Sequence, residues 1–220
     1  MVRVSRQLAT AFAAAAAVAC SLAASRPGTA VPALTYTIAR ARSLPPGRTV
    51  TVEGIVTVPS GVVDAGFAVQ DATGGIYVAD STRRWSAGAR LRVTGRLSSI
   101  HGLLTLTGTG VHRIGHGRLP RPLRVRTASV GERTEGRLVT VRGTAVDSVQ
   151  NDAPYGHKLR IDDGSGPVQI FFPAGAGGFE FAGIHPGARV SIVGFSGQYD
   201  QTQEVLPRSR RDVVVLAPRK

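Results

Sequence analysis

Three aspartates invite a catalytic reading. Asp71 stands in Q-D-A-T-G-G, and Asp162 and Asp163 stand side by side in I-D-D-G-S-G. Paired carboxylates serve general acid–base catalysis, and carboxylate clusters hold calcium. Their neighbours argue for something else. Each motif adds Ser or Thr and glycine, the chemistry of a tight turn, where the carboxylate accepts N–H bonds from its own backbone. No series of oxygen ligands follows, as a calcium loop requires. His112 and His116 have the spacing of a helical metal pair, but Gly115, Gly117 and strand-like neighbours deny them a helix. There is no G-x-S-x-G elbow and no phosphate loop, and the only cysteine is Cys20. The chain therefore reads as non-enzymatic, with no metal and no cofactor.

What the sequence does carry is positive charge. Lys and Arg number 27 against 14 Asp and Glu, for a formal charge of +13. Such a surplus suits polyanions: nucleic acid, anionic head groups, acidic polysaccharide. All but Lys158 and Lys220 of these cations are arginines in an Ala-, Gly- and Val-rich chain, which also fits a GC-rich coding bias. The candidate contacts are Arg83 and Arg84 before Trp85, Arg90 and Arg92 on one strand face, Arg160, and Arg208 in an arginine cluster. Arg208 has a structural alternative in an i,i+4 pair with Asp212. Tyr77, between Ile76 and Val78, faces away from the core if those two face inward. It is then either a platform for a base or an ordinary cross-strand partner. His101 and Tyr199 sit in turns, as ligand contacts or as plain turn residues. Aromatic residues are 5% of the chain, thin for a protein that binds by stacking.

The elements that place these residues are strands. From Leu34 onward the apolar pattern has period two, apart from a short helix expected in Thr37–Leu44 with Thr37 as N-cap. Arg48–Thr57 is a strand interrupted by Gly54, as at a bend or bulge. Phe67–Gln70 and Ile76–Val78 form a tight hairpin about Asp71–Gly75. Arg90–Leu97 and Leu103–Thr109 follow, with Val111–Ile114 as a weak extension. The second half repeats this order. Gly54 corresponds to Gly143, Asp71 to Asp163, Thr73 to Ser165, and Gly88 and Gly95 to Gly187 and Gly194. Leu138–Val149, the Leu159–Ile170 hairpin, Arg189–Phe195 and Thr202–Leu206 are the second set of strands. Five strands with one long connector between the third and fourth give the OB-fold, a small Greek-key barrel. The expectation is an all-β chain of two tandem OB-fold-like five-stranded barrels: residues 34–117, a linker over 118–126, and residues 127–220. A single β-sandwich built from both halves is the rival.

Ahead of the barrels, Arg3 and Arg6 precede an apolar run, Leu8–Ala19, that is too short to span a bilayer, and small-x-small sites follow. Residues 1–33 read as a signal peptide of a secreted or periplasmic protein. Ala17-Val18-Ala19-Cys20 also resembles a lipoprotein box, which would make Cys20 a lipid anchor, although Ala17 stands where Leu is usual. Once Cys20 is removed the chain has no thiol.

Gly47–Thr57 and Phe67–Val78, with Gly136–Gly143, Ile161–Pro167, Gly197–Asp200 and Val205–Arg208, resemble the tandem extracytoplasmic OB-like modules of bacteria. Those modules occur beside secreted nucleases and other phosphoesterases and in the outer parts of sensor proteins. The resemblance spans about residues 37–216 and rests on turn and strand signals, which specify fold better than ligand. It implies a free-standing pair of binding modules. Single-stranded DNA or RNA is the first ligand expected, met on the arginine-bearing sheet face and its loops. The alternatives are an envelope protein partner, such as a separate enzyme or sensor, and an oligosaccharide.

Overall fold

The computed structural model describes residues 34–217, the side chain of Thr109 excepted. The expected leader and Cys20 lie outside the described residues. The first barrel consists of β2 (Thr49–Val58), β3 (Phe67–Gln70), β4 (Gly75–Ala79), β5 (Ala89–Ile100) and β6 (Leu103–His116). A two-residue β1 (Thr35–Tyr36) and the helix α1 (Ile38–Arg42) precede them. The ring runs β2-β3-β4-β6-β5 and closes from β5 back to β2. β4 and β6 pair in parallel, and β1 lies parallel on β2.

The second barrel repeats the ring with β8 (Leu138–Ala145), β10 (Gly156–Asp162), β11 (Val168–Pro173), β13 (Thr202–Leu206) and β12 (Arg189–Tyr199). β11 and β13 are its parallel pair, and β7 (Leu123–Arg124) lies on β8 as β1 lies on β2. Both rings have OB-fold topology. Two short strands break the likeness. β9 (Gln150–Asp152) pairs with β10 inside what reads from sequence as a loop. In the first barrel β6 is continuous through His116, whereas in the second its role is divided between β13 and β14 (Val213–Val215). Pro207, which has no N–H for a ladder, follows directly on β13.

The duplication holds at the level of register. Gly54 lies opposite Leu91 and Gly143 opposite Val190; Gly95 lies opposite Val50 and Gly194 opposite Val139. A Cβ at Gly54 would come within 3.0 Å of Val69, and one at Gly143 within 2.9 Å of Asp162, so strand one crosses strand two too closely for a side chain in both. Inward-facing residues fill each barrel separately: Val52, Phe67, Ile76 and Leu91 in one, Val141, Ile161, Ile170 and Ile192 in the other.

The hairpin aspartates hold the start of each barrel in place. Asp71 Oδ1 accepts the N–H groups of Thr73 (2.7 Å) and Gly74 (2.8 Å), while Oδ2 accepts that of Ile38 (2.8 Å). Thr73 Oγ1 accepts the N–H of Ala39 at 3.1 Å. With the Thr37 hydroxyl, which accepts from Arg40, they satisfy the first N–H groups of α1. In the second barrel the 3-10 turn Thr127–Ser129 stands where α1 stands. Asp163 Oδ1 accepts from the Thr127 hydroxyl (2.8 Å), and Ser165 Oγ accepts the Ala128 N–H (3.1 Å). These carboxylates are turn-builders.

A third apolar cluster joins the barrels: Val58, Val63, Ala68 and Tyr77 from the first, Phe195 and Leu206 from the second. Beside it the backbones touch. A Cβ on Gly75 would lie 1.9 Å from the carbonyl oxygen of Gly136. The side-chain oxygen of Gln70 accepts the Leu138 N–H at 3.0 Å, and Arg208 donates to the Thr57 carbonyl at 3.0 Å. The barrels form one compact unit. Substituting Gly75→Val forces them apart and is expected to cost at least about 2 kcal/mol. Calorimetry checks this: the native protein should unfold in one step and the variant in two, because each barrel keeps its own core.

Candidate nucleic-acid interface

OB barrels take ligands across strands two and three. The repeat pairs the outward positions of that face in the two barrels: Ala68 with Arg160, Gln70 with Asp162, Gly75 with Pro167, Tyr77 with Gln169 and Ala79 with Phe171. In the first barrel the second barrel covers these residues: Ala68, Gly75, Tyr77 and Ala79 are small or apolar, and Gln70 is buried with its amide oxygen on the Leu138 N–H. Tyr77 does point out of its barrel, as the alternation requires, yet it is only 5% exposed. Its hydroxyl donates to the Val63 carbonyl (2.8 Å) and accepts from Gly66 N–H (2.9 Å), and its ring lies 6.2 Å from that of Phe195. Burial pushes its pKa up to about 12. The stacking-platform reading is therefore corrected: no base reaches this ring. Local alternation tells inside from outside of one barrel and is blind to a second barrel packed on the outside.

The matching face of the second barrel is open. A groove of about 580 Å³ runs between Thr127–Ala128, Arg160, Gln169 and the β12–β13 turn at Gln201–Thr202. Asp147 in the first loop accepts from Arg160 Nε at 2.7 Å and from its backbone N–H at 2.9 Å. Burial opposes ionisation of Asp147, but the bonds from Arg160 outweigh it and lower its pKa. Lys158 pairs with Asp152 at 2.9 Å. Gln169 donates to Glu204 at 3.0 Å. Glu204 is 6% exposed, and burial pushes its pKa up to about 7 against the pull of Gln169 and Lys158.

The remaining candidates are scattered. Arg83 and Arg84 are exposed in the connector. Arg90 and Arg92 occupy the β2–β5 face, where both bind Glu53, at 3.0 and 2.8 Å. The hydrogen bond from Arg92 is the largest cause of the lowered Glu53 pKa. His101 and Tyr199 meet each other: the two hairpin turns dock, their rings stack at 4.4 Å, and Asp200 N–H donates to the His101 carbonyl at 2.7 Å. Tyr199 remains 54% exposed. Arg208 is a structural residue. Its guanidinium binds Asp212 through two nitrogens at 2.9 Å each, in addition to Thr57, so its reading as a ligand contact is corrected. Among the described residues no group of three His, Cys, Asp or Glu could hold a metal, and no helix is long and apolar enough to cross a membrane.

The strongest cationic feature is a span of chain rather than any single arginine. From Ser81 to Gly131 the chain holds ten arginines and no acidic residue. Its second part places Arg113, Arg118, Arg121, Arg124 and Arg126 exposed along the end of β6 and the linker. Of these five, only Arg126 comes near a carboxylate among the described residues, Asp163 at 3.7 Å. Arg126 adjoins Thr127 and Ala128, which line the groove, so the strip leads to its edge.

No protein-family model and no curated protein matches the chain. Among solved structures, the OBody of a complex with hen egg-white lysozyme is 19% identical, covers 46% of this chain and 100% of its own, and gives a TM-score of 0.35. A murine DNA-binding protein bound with double-stranded DNA is 11% identical over 77% of this chain and 98% of its own, with a TM-score of 0.38. The Ifi202 HINa domain in complex with a 20-base-pair duplex is 10% identical over 78% and 96%, with a TM-score of 0.34. At such scores these likenesses carry no argument about the ligand, and the OB-fold assignment rests on the chain's own strand order.

Asp163 and Glu204 contribute to the pH dependence of stability in opposite senses. Asp163 is held down to about 2, chiefly by the hydrogen bond from Ser165, so its stabilisation is present above the ordinary value of 3.8 and is lost as pH falls towards 2. Glu204 is raised, so its protonated form stabilises the fold below the ordinary value of 4.5, and that contribution is lost as pH rises through about 7. Glu204→Gln should remove the Glu204 share of the alkaline loss, up to about 3 kcal/mol between pH 4.5 and 8, and leave the acid limb unchanged. Urea unfolding across that range reads the difference.

Proposed function

We propose that the protein is a non-enzymatic tandem OB module that binds an extended polyanion, with single-stranded nucleic acid as its first ligand, along the arginine-bearing linker and into the open groove of the second barrel. The observation that carries this reading is the acid-free strip ending at Arg126 beside the groove. With Tyr77 buried and Gln169 in its place on the open face, binding works through the phosphate backbone rather than by stacked bases. The first barrel serves as a scaffold that holds the linker and the second barrel in fixed relation. The charged n-region and apolar run at the N-terminus support work outside the cytoplasm. The amide and hydroxyl lining of the groove, at Gln169, Gln201 and Thr202, favours an acidic oligosaccharide as the second reading.

Fluorescence anisotropy of the full chain with a labelled 20-nucleotide strand tests the proposal. Affinity should fall steeply with salt, depend little on base composition and survive competition by heparin fragments of equal charge. Replacing Arg118, Arg121 and Arg124 together by Ala should weaken binding and flatten the salt slope by about 0.7 for each phosphate no longer neutralised. No binding at low salt overturns the reading, and preferential displacement by heparin favours the oligosaccharide.

A further inference from the structure

One polar side chain of the open groove has its orientation set by a buried neighbour. Gln169 lines the groove, and its Nε2 donates to Glu204 Oε2 at 3.0 Å. Glu204 lies opposite it in register on β13 and is 6% exposed. An amide nitrogen donates, an amide oxygen accepts, and an ionised carboxylate can only accept, so the nitrogen is the end that must face Glu204. The oxygen is left on the other side. Gln169 Oε1 has no partner among the described residues, and, unlike Gln203 Oε1 in the same groove, it is not sealed from solvent. It is a fixed, accessible acceptor. Arg160 lies directly across the β10–β11 pair from Gln169, about 5 Å away at the Cβ. Asp147 takes its Nε, which leaves the two terminal nitrogens for a phosphate.

A strand that sets a phosphate on Arg160 brings the adjoining sugar to Gln169, where it meets an acceptor. Phosphodiester oxygens carry no proton, and a deoxyribose inside a strand carries no hydroxyl, so a DNA backbone has nothing to donate there. A ribose has its 2′-hydroxyl. Resting on the reading of this groove as a nucleic-acid site, we propose that its ligand is RNA rather than DNA, selected by a hydrogen bond from a ribose 2′-hydroxyl to Gln169 Oε1. The selection acts on the sugar, which every nucleotide shares, so it is indifferent to sequence. DNA would cover the same oxygen and leave it without a donor, the costly outcome for a polar atom taken out of water. The neighbouring carboxyl makes the selectivity depend on pH. Burial pushes the Glu204 pKa up to about 7, with Gln169 and Lys158 pulling it down and Asp64 and Asp152 pushing it further up. At pH 8.5 Glu204 is ionised and the amide oxygen faces the strand. At pH 5.5 the protonated carboxyl donates to that oxygen and the amide turns over. Its nitrogen then meets the strand, as a donor that the phosphates of DNA satisfy as well as RNA does.

Fluorescence anisotropy of the full chain with strands of one mixed 20-nucleotide sequence tests this, using RNA, DNA with uracil in place of thymine, and 2′-O-methyl RNA. At pH 8.5 RNA should bind at least about threefold more tightly than DNA. The 2′-O-methyl strand keeps the oxygen but loses the donor, so it should bind no better than DNA. The ratio of RNA to DNA affinity should fall towards one at pH 5.5, and Gln169→Leu should bring it to one at pH 8.5. Changes of overall charge with pH act on both strands and cancel in the ratio. Equal affinity for RNA and DNA in the native protein at pH 8.5, or 2′-O-methyl RNA binding as well as RNA, overturns this inference and leaves the polyanion site standing. Absence of binding by every strand removes the site itself, and the inference with it. Displacement of RNA by heparin fragments at lower charge concentration assigns the acceptor to the hydroxyls of an acidic oligosaccharide and overturns the choice of RNA.

Discussion

The backbones of Gly75 and Gly136 meet with no room for a Cβ on either side. A contact that close brings the start of β8 onto the sheet face of the first barrel, where Gln70 takes up the Leu138 N–H and Tyr77 slides under Phe195. Burying one aromatic ring of this kind is worth about 2–3 kcal/mol, comparable to a sizeable fraction of a domain's net stability. The face that OB barrels offer to ligands is, in the first barrel, a packing surface for the second. Two copies of one fold have diverged into a covered sheet and an open one.

That divergence decides where chemistry is available. On the covered face the outward residues are Ala68, Gln70, Gly75 and Tyr77, each satisfied or packed within the protein. On the open face Arg160, Asp162, Pro167 and Gln169 occupy the same places. The docking of the His101 and Tyr199 turns continues the seam to the far ends of both hairpins. The linker passes along this assembly as a run of exposed arginines. Fixed positive charges without carboxylate neighbours keep their long-range field, whereas Arg90 and Arg92 spend much of theirs on Glu53.

Much of this was legible in the residues. Period-two runs placed the ring strands, because a half-buried sheet forces alternation. Gly54 and Gly143 marked equivalent bends because each crosses strand two without space for a side chain. Asp71 and Asp163 read correctly as turn-builders, although their reach across to α1 and the Thr127 turn lies beyond local chemistry. The two-residue strands β1 and β7 have no periodicity to detect; parallel pairing alone holds them. The direction of Tyr77 was legible and its burial was not, because alternation reports where a side chain points and says nothing of what lies there. Comparing equivalent positions would have helped, since Ala68 against Arg160 and Tyr77 against Gln169 already separate a dry surface from a wet one. The linker arginines were visible as a 51-residue span without acid, a signal that emerges only when acids are counted as well as bases.

The closed sheet face is best tested without any ligand, by adding a soluble paramagnetic agent and reading the broadening of tyrosine ring signals by NMR. Tyr155, 71% exposed in the first loop of the second barrel, serves as the internal standard. The account predicts that the Tyr77 ring stays sharp while Tyr155 broadens. Equal broadening of the two rings would mean that the barrels do not cover one another in solution, and the division into scaffold and reader would fall.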